Sequence, residues 1–174
     1  MKTTGRNLKD RLYGLRNLPS NIKRRRYWHG HGVHSPFVYA IVRQVFMCKT
    51  LFEGDTSLYE ALARIGVPER RAVELQNLLT HCKYESFGID CEVEQMECKD
   101  IVIASLAVGG DQLRQMAQRA TELRSTLCII APAFNQERDI LCKDLIAQHK
   151  CTSVDNRGYL LLFNNHLPKQ DFRL

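Results

Sequence analysis

The sequence predicts an α/β protein: an N-terminal layer of helices on a mostly parallel sheet of about five strands, ending in an antiparallel hairpin. Three observations predict it. From residue 85 onward, short apolar runs alternate with helical stretches of 10–15 residues, the pattern of a parallel sheet covered by helices. Before residue 85 the apolar spacing is helical only. The last two apolar runs, "CTSVD" and "GYLLLF", flank Asn156-Arg157-Gly158, a link too tight for a parallel crossover, so they should form an antiparallel hairpin at one edge of the sheet.

The elements follow in chain order. "LKDRLYGLRNL" spaces Leu8, Leu12, Leu15 and Leu18 along one face of a short amphipathic helix whose other face is basic. "PSNIKRRRYWHGHG" reads as a loop carrying a charge run. Ser35-Pro36 starts a helix through "PFVYAIVRQVFM", with Ser as cap and Pro at the first helical position. That helix is apolar on most faces, which predicts burial. "DTSLYEALARIG" is a helix capped by Asp55 or Thr56 and stopped at Gly66. "PERRAVELQNLLTHC" is another, opening at Pro68 and turning Val73, Leu75, Leu78 and Leu79 inward.

Then come "ESFGID" and "DIVIAS" as strands, and "GGDQLRQMAQRATEL" as a helix. "TLCIIAP" is a buried strand, and "NQERDILCKDLIAQH" a helix with Asn135 as cap. This order divides the chain into a basic arm (1–35), a helical layer (36–84) and an α/β domain (85–174), with 36–174 as one folded unit.

The 174 residues, 44% hydrophobic and 25% charged, suffice for one substantial core. No run approaches the ~20 apolar residues of a membrane span, and no apolar signal stretch follows the basic start, so a cytoplasmic protein is expected. The seven cysteines include no CxxC pair and scatter through apolar runs, as reduced thiols packing like small hydrophobes do. His81, Cys82, Cys91 and Cys98 are the nearest approach to a metal set and lack knuckle spacing, so no metal is expected. The net charge of +6 is uneven: residues 1–26 hold nine Lys/Arg against Asp10 alone. The arm therefore carries the surplus and points to an electrostatic partner.

"HGHGVHSPFVYAIV" resembles the N-terminal signature of a bacterial branch of class I S-adenosylmethionine-dependent methyltransferases. Residues 58–90 look like that family's helix pair and first strand, 100–117 like its fourth strand and next helix, and 126–163 like its fifth strand, last helix and hairpin. The resemblance implies a truncated Rossmann-like, methyltransferase-type sheet. It also marks what is absent. In the family, a glycine-rich turn after the first strand holds the cofactor's methionine part, and an acidic residue after the second strand holds the ribose. Here only "CEVEQMECK" separates Asp90 from Asp100, too little for a helical crossover, let alone two further strands. The direction of strand 85–90 stays open. Metal-dependent relatives end their fourth and fifth strands in carboxylates; the matching residues here are Ser105 and Ile130-Ala131.

These losses imply a non-catalytic, methyltransferase-like protein with no catalytic residues and no cofactor, acting as a binding or regulatory subunit. Its protein partner would be an intact methyltransferase relative or a second copy. The sheet edge beside the lost strands should be covered by "CEVEQMECK" or another subunit. One alternative is an active enzyme using S-adenosylmethionine at an unusual or shared site. The other is a nucleic-acid-binding accessory protein. Its contacts would be Lys23, Arg24, Arg25 and Arg26 for phosphates, with Tyr27 and Trp28 stacking on bases or anchoring the arm. Gly109, Gly110 and Ser105 are weak anion-site candidates at a strand-to-helix turn, where the other reading is a plain turn with Asp111 at the helix start. His29, His31 and His34 read as a structural segment before the Ser35 cap rather than metal ligands.

Overall fold

A computed structural model describes residues 33–174, together with Lys9 and Tyr13. The first described helix, α1 (Pro36–Ile41), is capped by Ser35 Oγ, which accepts from Val38 N at 3.4 Å. It continues as a single π-turn, Val42–Phe46, that keeps Val42, Val45 and Phe46 buried. Helix α2 (Ser57–Arg64) is followed by Gly66 at φ +76°, where glycine ends a helix without strain. Asp55 accepts from the Ser57 amide at its start, at 3.2 Å. Helix α3 (Glu69–His81) buries every residue from Ala72 to Leu79, including Glu74, Gln76 and Asn77. A helix apolar on one stripe faces a core; one buried all round lies inside it.

The sheet strands are β1 (Phe87–Ile89), β2 (Ile101–Ala104), β3 (Thr126–Ile130), β4 (Ser153–Asp155), β5 (Tyr159–Leu162) and β6 (Asp171–Arg173). Their spatial order is β1-β2-β3-β5-β4-β6. Pairs β1–β2 and β2–β3 are parallel, and β5 runs antiparallel to both neighbours. Helix α4 (Gly110–Leu123) joins β2 to β3, and α5 (Gln136–Gln148), capped by Asn135, joins β3 to β4. The mixed α/β sheet with covering helices is the expected, Rossmann-compatible class.

Two features differ from expectation. The sheet has six strands, because the C-terminal Asp171-Phe172-Arg173 pairs parallel with β4. Three residues with exposed charged ends carry no apolar run to read. The hairpin strand β5 is also not at an edge: it inserts between β3 and β4.

Period-two alternation divides the sheet between two cores. Ile101, Ile103, Cys128, Ile130, Tyr159 and Leu161 face α1–α3, where Phe37 and Phe163 meet edge-on at 5.1 Å. Val102, Ala104, Leu127, Ile129, Leu160 and Leu162 face α4 and α5.

The question the sequence left open is settled: β1 is parallel to β2. The link between them forms one 3₁₀ turn, Val93–Met96, with reciprocal bonds between Glu92 and Gln95. Met96 is fully buried among Leu113, Met116 and Ala120 of α4, a burial contributing about 2 kcal/mol. The link therefore lies on a face of the sheet, and β1 remains its terminal strand. Asp90 N donates to Ile103 O, and Ser86 O accepts from Ile101 N, so even-numbered residues face β2. The backbone groups of Phe87 and Ile89 point outward. This edge is blunted by brevity and by the turn at Asp90, whose φ is +49°.

Candidate functional site

In an open α/β sheet, ligands bind beyond the carboxyl ends of the strands. Those ends belong to β1, β2 and β3 and, beyond the antiparallel β5, to β4 and β6; three side chains meet at the first group. Asp90 follows β1, Ser105 follows β2, and Arg138 lies in the first turn of α5. Asp90 Oδ1 accepts from Ser105 N and Asp90 Oδ2 from Ser105 Oγ, both at 2.6 Å. Ser105 Oγ accepts in turn from Ala107 N at 3.0 Å. Both oxygens of the carboxylate and both capacities of the hydroxyl are thus engaged within the chain, in a bonded turn.

Arg138 is buried. Its Nη2 donates to Ser105 O at 2.8 Å and to Ile130 O at 3.3 Å, and its Nη1 to Val108 O at 3.1 Å. One guanidinium thus spans the ends of β2 and β3 and the loop into α4. Its Nε has no partner among the described residues. Burial pushes its pKa down, while Asp90 is one of the groups that favour its charge. A cation here stands between the two strand ends where the resemblance looks for metal-binding carboxylates. Nothing in the apolar pattern marked Arg138. One signal was present: a positive residue in the first turn of a helix opposes the helix dipole.

Gly109 is the N-cap of α4 and Gly110 its first residue. A Cβ on Gly110 would sit 3.6 Å from Leu141 Cδ2, ordinary contact, so neither space nor backbone demands glycine there. Asp111 lies in the first turn, exposed, with Arg114 3.3 Å away. Of the three anion-site candidates, Ser105 is bonded to Asp90, and the glycines form the turn at the helix start. Ala131, at the end of β3, has a left-handed backbone (φ +47°), and its amide donates to Gly158 O at 2.8 Å.

A second polar cluster was missed by the sequence reading. Glu74, on α3, is 1% exposed. Its Oε2 meets Arg71 Nη1 at 2.5 Å, Tyr159 Oη at 3.0 Å and Asn156 Nδ2 at 3.2 Å, while Oε1 meets Arg70 at 3.1 Å. Arg71 also lies over the Tyr159 ring, 5.7 Å from its centre. A Cβ at Gly158 would fall 2.5 Å from Arg71 Nε, so a larger residue there would displace the Arg71 side chain from its place beside Glu74. Burial, with Glu74 alongside, pushes the Tyr159 hydroxyl's pKa well up. The cluster ties the helical layer to the β4–β5 turn.

All seven cysteines are free thiols, and among the described residues no three or more His, Cys, Asp and Glu side chains converge as a metal set. No described helix is long and apolar enough to cross a membrane. His34 is exposed. His29, His31 and the contact candidates Lys23, Arg24, Arg25, Arg26, Tyr27 and Trp28 lie outside the described residues. Searches against family models, curated proteins and solved structures return no match, so the resemblance rests on this chain's own residues.

Proposed function

We propose that this chain is a non-catalytic, methyltransferase-like protein that acts by binding, in a cytoplasmic setting, with its basic arm as the contact surface. The observation that supports this reading best is the hydrogen-bonded Asp90–Ser105 pair at the carboxyl ends of β1 and β2, which engages both carboxylate oxygens within the chain. The carboxylate nearest the expected ligand position is committed to the backbone and hydroxyl of its neighbour. Two further features support it. The β1–β2 link has room for one 3₁₀ turn and no cofactor-binding strand, and Arg138 holds the strand ends on the other side. The partner is a protein, either an intact methyltransferase relative or a second copy.

Calorimetric titration of the full chain with S-adenosylmethionine is expected to give no binding heat. Micromolar affinity would overturn the non-catalytic reading in favour of a working enzyme. Purification from native extract should recover a complex that is lost when residues 1–26 are removed, and recovery as a lone monomer would overturn the binding role. The concentration of nine Lys/Arg in those residues favours a second reading, nucleic-acid contact. That reading predicts an affinity for RNA or DNA falling steeply with salt and vanishing with the arm.

A further inference from the structure

The two edges of the sheet are guarded differently. At the β6 edge, Asp171 and Arg173 place exposed charges on the terminal strand. Charges of that kind keep an exposed strand from pairing with another chain. At the β1 edge, Phe87-Gly88-Ile89 carries no charge. Phe87 and Ile89 are only partly buried, packed against the core on the α1–α3 side. Their amides and carbonyls point away from β2, because Ser86 and Asp90 bond to that side, and they have no hydrogen-bond partner among the described residues. Unpaired backbone groups at an edge are a template for a further strand. The link from β1 to β2 does not supply one, since Met96 holds it on the face of the sheet that α4 covers.

We propose that β1 is a self-pairing edge, at which a second copy of this chain joins its own β1 antiparallel about a two-fold axis at Gly88. The groups left over dictate the register. The outward-facing residues sit one on each side of Gly88, so the two-fold brings Phe87 opposite Ile89 of the second copy. In an antiparallel ladder such a pair exchanges both of its N–H···O bonds. Symmetry repeats the exchange, and every outward group of β1 is satisfied. The same register sets Phe87 beside Ile89 of the second copy as an aromatic–aliphatic cross-strand pair, with no like charges opposed. A second copy fits because it presents the same donors and acceptors at the same spacing, as a two-fold interface requires. The turn at Asp90 (φ +49°) ends the ladder, and the charged β6 edge stays unpaired, so association closes at a dimer. A ladder this short is far smaller than a standard interface, so the dimer is a weak one, populated at high protein concentration. Resting on the binding role proposed above, this pairing selects the second copy as partner and makes β1 a contact surface besides the arm.

Sedimentation velocity of the full chain from about 5 to about 500 µM should show a monomer becoming a dimer. Amide hydrogen exchange read by NMR over the same range locates the contact. The Phe87 and Ile89 amides should slow about threefold or more at the concentrated end, while the Asp90 amide, already bonded to Ile103 O, stays constant. Ile89→Pro removes an outward N–H that the sheet itself does not use, and should weaken dimerisation about tenfold or more. Circular dichroism shows whether that variant folds; where it does not, Ile89→Lys, which keeps the backbone amide and adds an edge charge, replaces it with the same expectation. A monomer throughout the range, a dimer whose Phe87 and Ile89 amides exchange as fast as the monomer's, or a dimer unweakened by the folded variant would overturn the pairing. A partner recovered only when residues 1–26 are present, by a chain that is itself monomeric, would remove the edge pairing and keep the arm's binding role. A dimer with slowed Phe87 and Ile89 amides, and no partner lost with the arm, would keep the pairing and remove the arm as contact surface.

Discussion

Replacing Asp90 by alanine separates a structural carboxylate from a catalytic one. The substitution removes the acceptor of two 2.6 Å hydrogen bonds, from the Ser105 amide and the Ser105 hydroxyl. Each hydrogen bond to a charged group is worth ~1.5–3 kcal/mol. The two share one carboxylate, and both residues are only half-buried, so the expected loss is about 3 kcal/mol in total, not the sum of two maxima. For a chain of this length that lowers Tm by roughly 6–12 °C. Asp90→Asn keeps one acceptor and should lose about half as much. Urea unfolding followed by circular dichroism gives the free energies. The Ser105→Ala/Asp90→Ala double variant should lose less than the sum of the two single losses, since the partners are coupled, the excess over Asp90→Ala being the Ala107 amide's bond to Ser105 Oγ. A Tm unchanged or raised by Asp90→Ala would refute the reasoning. Active-site carboxylates are held at a cost to stability, and their removal commonly stabilises the fold. That result would make Asp90 a candidate ligand-binding residue instead of a structural one.

Glu74→Ala leaves Tyr159 Oη and Asn156 Nδ2 without their buried acceptor and frees Arg71, so stability should fall by about 3–5 kcal/mol; denaturant titration giving under ~1 kcal/mol would contradict the network's role. The protein should also weaken in alkali. Burial raises the Cys82 thiol to about 11 and Cys142 to about 12, and pushes Tyr84 and Tyr159 upward as well. Unfolded thiols release their protons near the ordinary value of 9.0, while the folded Cys82 holds its proton to about 11. The stabilisation is therefore complete below pH 9 and is lost as pH rises through that window. Melting measured from pH 8 to 11 should show the decline, shallower in Cys82→Ala; a flat profile would contradict it.

Legibility in the sequence followed the range of the forces involved. Caps and stops were legible because they act over three or four residues: Ser35 bonds Val38 N, Asn135 bonds Arg138 N, and Gly66 takes a positive φ. In α3, Val73, Leu75, Leu78 and Leu79 were legible as inward, whereas Ala72, Glu74, Gln76 and Asn77, buried alongside them, were not. The π-turn at Val42–Phe46 was not, since it preserves the apolar face that a plain helix would present. Glu74 and Arg138 were illegible for another reason. Their partners stand 82 and 30 residues away in the chain, at Asn156 and Val108, and no local pattern announces such pairing.

The nine-residue link shows how a local fact governs a distant one. A crossover helix fixes the register of two parallel strands by packing along both of them. One 3₁₀ turn anchored by Met96 touches far less, and polar staples at the two ends take over the task. At the amino end, Asp100 Oδ2 accepts from the amides of Glu85 and Ser86, both at 2.9 Å. At the carboxyl end, Asp90 accepts from Ser105. The two aspartates flank the short link on either side. The short link between β1 and β2 therefore has a structural consequence. It places on Asp90 a structural task that occupies both of its oxygens, and a longer link carrying a helix would release that carboxylate for other use.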